Sequence, residues 1–166
     1  LLQSIGITKN VTISGDTRFD RVIEIAKSPL HTAIIESFCR NQKIIVAGST
    51  WEDDNVILAA YADNTKHREK LIIVPHELDK QQLDNIKILF KKSVFYTVIN
   101  NNTKKKKNLT EYDTLIVDIT GMLSRLYNYG TVNYIGGGFT NDGIHNILEA
   151  AVWGKPIVMG ENYEKY

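Results

Sequence analysis

Apolar residues in this chain fall into short continuous runs separated by amphipathic stretches. Six runs rich in β-branched residues predict strands: Val11–Ser14, Lys43–Ala47, Leu71–Val74, Thr114–Val117, Val132–Ile135 and Pro156–Met159. A shorter run, Val94–Val98, is also read as a strand. Most are continuous rather than alternating, as in strands covered on both faces. Between them lie helical patterns. Val56, Ile57, Ala60 and Tyr61 share a face over Asp53–Asn64, and Leu83, Ile86, Leu89 and Phe90 over Asp79–Lys91. Leu123, Leu126 and Tyr127 do so over Gly121–Tyr129, and Ile147, Leu148, Ala151 and Val152 over His145–Trp153. Strands alternating with helices imply right-handed crossovers and a mainly parallel sheet. The expectation is one α/β domain over residues 1–166, a three-layer, Rossmann-like fold.

Composition adds mostly exclusions. With 166 residues, the chain can bury a proper core. A formal net charge of +1 gives no global electrostatic case for nucleic acid. The single Cys39 excludes an internal disulfide, and no apolar run reaches membrane-spanning length. The four histidines, His31, His67, His76 and His145, show no metal-ligand spacing, so neither a metal nor a cofactor is expected. The run Asn100–Asn108, with Lys104–Lys107 at its centre, reads as a solvated loop, or alternatively as a basic patch for an anionic lipid surface. The chain opens on Leu1-Leu2-Gln3 and closes on Glu164-Lys165-Tyr166 without start or capping signals, so a piece of a longer protein is expected.

In doubly wound sheets ligands gather beyond the carboxyl ends of the strands. Three strand-end loops carry candidate chemistry. In Ala47–Glu52, Gly48 eases a turn, and Ser49 or Thr50 either caps the next helix or presents a hydroxyl to a ligand. In Val74–Glu77, Pro75 and His76 place an imidazole at the sheet edge, or a surface histidine beside a helix start. The third loop is the richest. Gly136, Gly137 and Gly138 permit close backbone approach, and Asn141-Asp142-Gly143 is turn chemistry. His145 and Asn146 stand at an expected helix N-terminus, where N–H groups attract anions, and Glu149 follows one turn later. A carboxylate there can accept both hydroxyls of a ribose. The dinucleotide spacing G-x-G-x-x-G fails from every start, since Asn141, Phe139 or Thr140 falls where a glycine belongs. The loop therefore points to a nucleotide or phosphate site other than a nicotinamide one.

Together these residues resemble the C-terminal domain of the 3-deoxy-D-manno-octulosonic acid (Kdo) transferases, the lipid A glycosyltransferases of Gram-negative bacteria. The matching segments run in order. They are Ser14–Asp20, Ala47–Glu52, Pro75-His76-Glu77, Asp118–Tyr129, Ile135–Phe139, His145–Ala151 and Pro156–Gly160. The glycines followed by His145-Asn146-Ile147-Leu148-Glu149-Ala150-Ala151 are the most specific part. Gly138 stands where the family often has serine, Ile144 where a glycine is common, and Pro75-His76-Glu77 is shorter than the family's equivalent.

The resemblance implies the C-terminal, donor-binding half of a glycosyltransferase B fold. It implies CMP-Kdo as donor, a lipid A precursor as acceptor, inverting transfer with CMP leaving, and work at the cytoplasmic face of the inner membrane, where surface contact is possible. The carboxylate base and any membrane anchor are expected in an N-terminal half, so this chain alone is expected to be inactive. On the same footing, Gly136–Gly138 would let phosphate approach, with Gly143 in the same turn. Asn146 would hold phosphate, and His145 would bind it or order the loop. Glu149 would hold ribose, Ser49 and Thr50 would border sugar or phosphate, and Pro75 and His76 the base or donor. Two rivals remain open at this point: an enzyme of the same architecture using a UDP-sugar, such as an epimerase or another glycosyltransferase, and a non-catalytic nucleotide-binding module.

Overall fold

The computed structural model describes residues 2–12, 15–64, 69–102 and 109–164. Six strands are assembled into one all-parallel sheet. They are β1 (Ile44–Thr50), β2 (Lys70–Pro75), β3 (Ser93–Phe95), β4 (Thr114–Ile116), β5 (Val132–Ile135) and β6 (Ile157–Met159). Their spatial order is β3-β4-β2-β1-β5-β6. The chain passes from β1 to β2 and on to β3 at the edge, returns to place β4 between β2 and β3, then crosses to lay β5 on the other side of β1. The order therefore reverses between β1 and β5, the point beyond whose carboxyl ends such sheets place their ligand crevice.

The continuous apolar runs are explained by burial on both faces. On β2, Ile72 and Val74 point into one cluster with Ile34, Ile35 and Phe38, while Leu71 and Ile73 point into another with Leu58, Ile86 and Phe90. The first cluster is closed by α2 (Ala33–Cys39), α5 (Tyr96–Asn100), α6 (Leu123–Leu126) and α7 (Leu148–Ala151), with α1 (Thr17–Ala26) packed on α6 and α7. The second is closed by α3 (Glu52–Ala62) and α4 (Lys80–Leu89). This is the expected three-layer α/β arrangement. No helix among the described residues is long and apolar enough to cross a membrane.

Four local expectations need correction. Val11 and Thr12 form no strand, and Val11 is exposed; the other two residues of that run, 13 and 14, lie outside the described residues, as do 103–108 of the lysine-rich loop. The run at Val94–Val98 is a strand only to Phe95. From Tyr96 it is helical, because the Asp118 carboxylate, arriving after β4, accepts from both the Thr97 N–H and the Thr97 hydroxyl. That is a helix cap supplied from elsewhere in the chain.

Helix α3 exists but turns the opposite face inward. Val56 and Ile57 are 51% and 46% exposed, while Asp54, Asn55, Leu58 and Ala59 are buried. The inward face is polar in its first turn because it lies under the strand-end loops, and this hides its periodicity. Finally, the helix expected from His145 begins only at Leu148 and is four residues long. The chain before it is held irregular by bonds from Ile144 N–H to Asn162 and from His145 N–H to Gly136.

The orientation of α3 can be checked by two truncations. Leu58→Ala should cost about 2–5 kcal/mol as a core deletion. Ile57→Ala should stay within about 0.5 kcal/mol as a surface change. Urea midpoints that rank the two the other way would contradict this packing.

Candidate functional site

The carboxyl end of β1 is irregular in a way that serves the crevice. Ser49 has φ +53°, and the pairing with β2 slips between Gly48 and Thr50. A left-handed residue without glycine at a strand end is a bulge that re-aims the next side chains. Thr50 is fully buried, and its hydroxyl has no hydrogen-bond partner among the described residues. Neither Ser49 nor Thr50 caps α3. The cap position is Trp51, whose backbone N–H donates to the Asp54 carboxylate at 2.9 Å.

Asp54 is the hub of the crevice floor. It is 1% exposed. Besides the Trp51 N–H, its carboxylate accepts from the Gly137 N–H at 2.9 Å and from the Tyr134 hydroxyl at 2.5 Å. Three donors, from the cap residue before α3, from β5 and from the glycine loop, thus converge on one side chain. Burial, and then Asp54 itself, hold the Tyr134 hydroxyl well above the usual phenol range, so it stays a donor.

The three glycines are required by the chain itself. A Cβ on Gly136 would stand 2.3 Å from the Ser49 carbonyl oxygen, and one on Gly138 would stand 2.6 Å from the Gly160 backbone. Gly137 has φ +90°, and a Cβ there would meet the Gly143 carbonyl oxygen at 2.6 Å. The Gly136 N–H donates to Gly48 and the Gly137 N–H to Asp54, so both are committed within the protein. Close approach is thus first of all to neighbouring backbone. The two departures from the Kdo transferase pattern follow. Gly138 packs on Gly160 with no room for a serine Cβ, and Ile144 is a buried member of the core.

Above this floor three rings meet, one from each strand-end loop. The His76 ring lies 4.4 Å from Trp51 and 4.3 Å from His145, stacked on both. The Trp51 and His145 rings are nearly parallel, with centroids 6.2 Å apart, and are joined by a bond from the indole N–H to His145 Nε2 at 3.0 Å. Burial, then the His76 ring, lower the His145 pKa below its ordinary value.

On the far side, Asn146 Nδ2 donates to the Glu149 carboxylate at 3.4 Å, and Asn146 Oδ1 accepts from the Leu148 N–H. The Asn146 side chain thus takes up the first N–H of α7, from just before its cap residue Ile147. The expected helix N-terminus at His145-Asn146, open to an anion, is not there. Burial and the Glu149 charge push the Tyr127 hydroxyl above the usual phenol range. A Cβ on Gly48 would stand only 2.1 Å from that hydroxyl, so Tyr127 packs against the end of β1.

The structure thus brings together Ser49, Thr50, Pro75, His76, Gly136, Gly137, Gly138, Gly143 and His145, with Asn146 and Glu149 as the adjoining segment. Sequence reasoning missed Trp51 as a site residue, Asp54, Tyr134 and Gly160. Only Asp54 had a local signal: it stands three residues after the cap position Trp51, the spacing of a reciprocal helix cap.

These features define a Rossmann-like α/β domain with its candidate site at the sheet's switch point. No protein-family model matches the chain. Its sequence is similar to that of the 3-deoxy-D-manno-octulosonic acid transferase of Aquifex aeolicus (strain VF5), 36% identical over 121 residues, 71% of this chain and 32% of the relative. It is similar also to the Kdo transferase of Chlamydia muridarum, 30% identical over 72% of this chain and 27% of the relative. A bifunctional glycosyltransferase/methyltransferase of Fusobacterium nucleatum is 33% identical over 73% of this chain and 18% of the relative. The chain thus spans at most about a third (32%) of the length of these relatives. A crystal structure of the C-terminal CMP-Kdo binding domain of WaaA from Acinetobacter baumannii superimposes with a TM-score of 0.63 at 19% identity. That likeness covers 88% of this chain and 74% of that one. The chain therefore resembles the Kdo transferases in sequence, and its fold is the C-terminal half of the glycosyltransferase B architecture.

Asp54→Asn keeps the shape but replaces one acceptor oxygen by an N–H₂ that must face another donor. It should lower stability by about 1–3 kcal/mol, read from urea unfolding. An unchanged midpoint would remove Asp54 as the hub.

Proposed function

We propose that this chain is the donor-binding domain of a Kdo transferase that moves Kdo from CMP-Kdo to a lipid A precursor. The observation that carries the reading is a coincidence of sequence and place. The segment of most specific resemblance, the glycines through His145-Asn146 to Glu149, lies at the switch point of a sheet that superimposes on a CMP-Kdo binding domain. The domain would be one part, over residues 1–166, of a longer two-domain enzyme at the cytoplasmic face of the inner membrane of a Gram-negative cell. The acceptor would be met mainly by the other half, and alone the domain would be inactive.

The reaction forms a bond from an acceptor hydroxyl oxygen to the anomeric carbon, breaks the bond from that carbon to the phosphate oxygen, and releases CMP. The acceptor proton goes to a carboxylate base in the other half. This chain's task is to hold the donor and to stabilise charge growing on the phosphate as it leaves. Glu149, fixed by Asn146, accepts the ribose hydroxyls. His145 and Asn146 offer donors to the phosphate. Ser49 borders phosphate or sugar with Thr50 buried beneath it, and Pro75 and His76 border the base. Gly136–Gly138 and Gly143 keep the loop low enough to admit the donor, rather than giving their first two N–H groups to it.

Calorimetric titration tests both partner and role. CMP should bind and UDP should bind more weakly. Glu149→Ala should weaken CMP by about 1–3 kcal/mol as a charged hydrogen bond to ribose is lost. Tighter binding of UDP would favour a UDP-sugar enzyme of the same architecture, and an unchanged CMP affinity would remove Glu149 from the site.

A further inference from the structure

We propose that Trp51 is a positioning residue of this site: its indole N–H fixes His145 as the Nδ1–H tautomer, so that His145 meets an anionic ligand oxygen as a neutral hydrogen-bond donor through Nδ1. The inference deepens the donor-site reading and rests on it for the identity of the ligand.

Indole nitrogen can only donate, so the 3.0 Å contact from Trp51 Nε1 requires His145 Nε2 to be an unprotonated acceptor. In a neutral imidazole the proton must then sit on Nδ1. The ring's orientation is fixed by this bond, and its surroundings are close. The Cδ2–Nε2 edge faces Gly137, where a Cβ would stand 3.1 Å from His145 Cδ2 and 3.4 Å from Nε2, and one ring face is covered by His76. Nδ1 lies on the opposite edge of the ring, and it makes no hydrogen bond among the described residues. The chain itself is held at that point by the bond from the His145 N–H to Gly136.

The charged and titratable groups around His145 explain why it needs such help. Burial and the stacked His76 ring disfavour its protonation, while the carboxylates of Asp54 and Asp142 favour it. A bound phosphate or carboxylate oxygen would also favour it. Protonation would place an N–H on Nε2 against the indole N–H. Trp51 therefore opposes the charged form directly, and keeps His145 neutral as pH falls through the range where an ordinary histidine would ionise. It also ties the loops after β1 and β5 together, with His76 from β2 stacked over the junction.

The test is Trp51→Phe, which keeps an aromatic ring under His76 and removes the indole N–H together with the second ring. Nitrogen-detected NMR of the ligand-free chain should show His145 protonated on Nδ1 and not Nε2 in the wild type. The variant should show a mixture of tautomers and a higher His145 titration midpoint. A wild-type His145 protonated on Nε2, or an identical tautomer and midpoint in the variant, would overturn the inference. The wild type supplies a second reading that needs no variant: the Trp51 indole N–H resonance should move with the His145 ionisation, and an indole signal blind to it would count equally against the proposal. With CMP as probe, Trp51→Phe should weaken binding several-fold at pH 7.5 and make it tighten as pH falls, because His145 then becomes charged. Failure of CMP to bind the wild type would sink the donor-site reading, while the ligand-free tautomer result would still decide this one.

Discussion

The crevice depends on one buried carboxylate. Asp54 sits at the start of α3 and accepts from Trp51, Gly137 and Tyr134, which belong to three different segments. Each donor is a group that would be costly to bury alone. Satisfied together, they lock the helix, the strand β5 and the glycine loop into one geometry. A buried charge held only by donors is poorly tolerant of rearrangement, because any slip leaves it uncompensated. The layers of the fold would survive a hydrophobic replacement somewhere in the core. The relative placement of the loops after β1 and β5 would not survive the loss of this clasp.

That constraint reassigns the glycines. A run of three at a strand end suggests a backbone that approaches a phosphate. Here each glycine is needed because another piece of the same chain is already there: Ser49 and Thr50 against Gly136, Gly143 against Gly137, Gly160 against Gly138. The loop is pressed flat against β1 and β6, and a donor gains room above it. Recognition then falls to side chains around the rim: the Trp51–His76–His145 rings on one side and the Asn146–Glu149 pair on the other. The short α7, whose first N–H is taken by Asn146, contributes orientation of Glu149 rather than a helix-end anion site.

Much of this was legible in the sequence. Continuous β-branched runs gave the buried parallel strands, because a strand covered on both faces has no polar alternation to hide it. The strand-end rule then pointed to three loops, and those three loops do converge. What escaped was set by tertiary partners. The inward face of α3 carries Asp54 and Asn55, so its burial runs against its hydrophobic pattern. Tyr96–Asn100 is helical because Asp118, far along the chain, caps it. Trp51 looked like a loop residue. Its bond to His145 spans 94 positions, and no local spacing announces it. The departures at Gly138 and Ile144 likewise acquire a reason only when Gly160 and the core are seen beside them.

The central claim is that the switch-point crevice, and not some other face, receives the CMP end of the donor. The most direct measurement is chemical-shift mapping of the chain as CMP is added. The account predicts that the amides of Ser49–Trp51, His76 and Gly136–Glu149, with the Trp51 indole N–H, move together along one saturable curve. Saturable shifts confined to the outer flank of α3 and α4, or to the amino ends of the strands near Lys43, with the crevice resonances still, would contradict it.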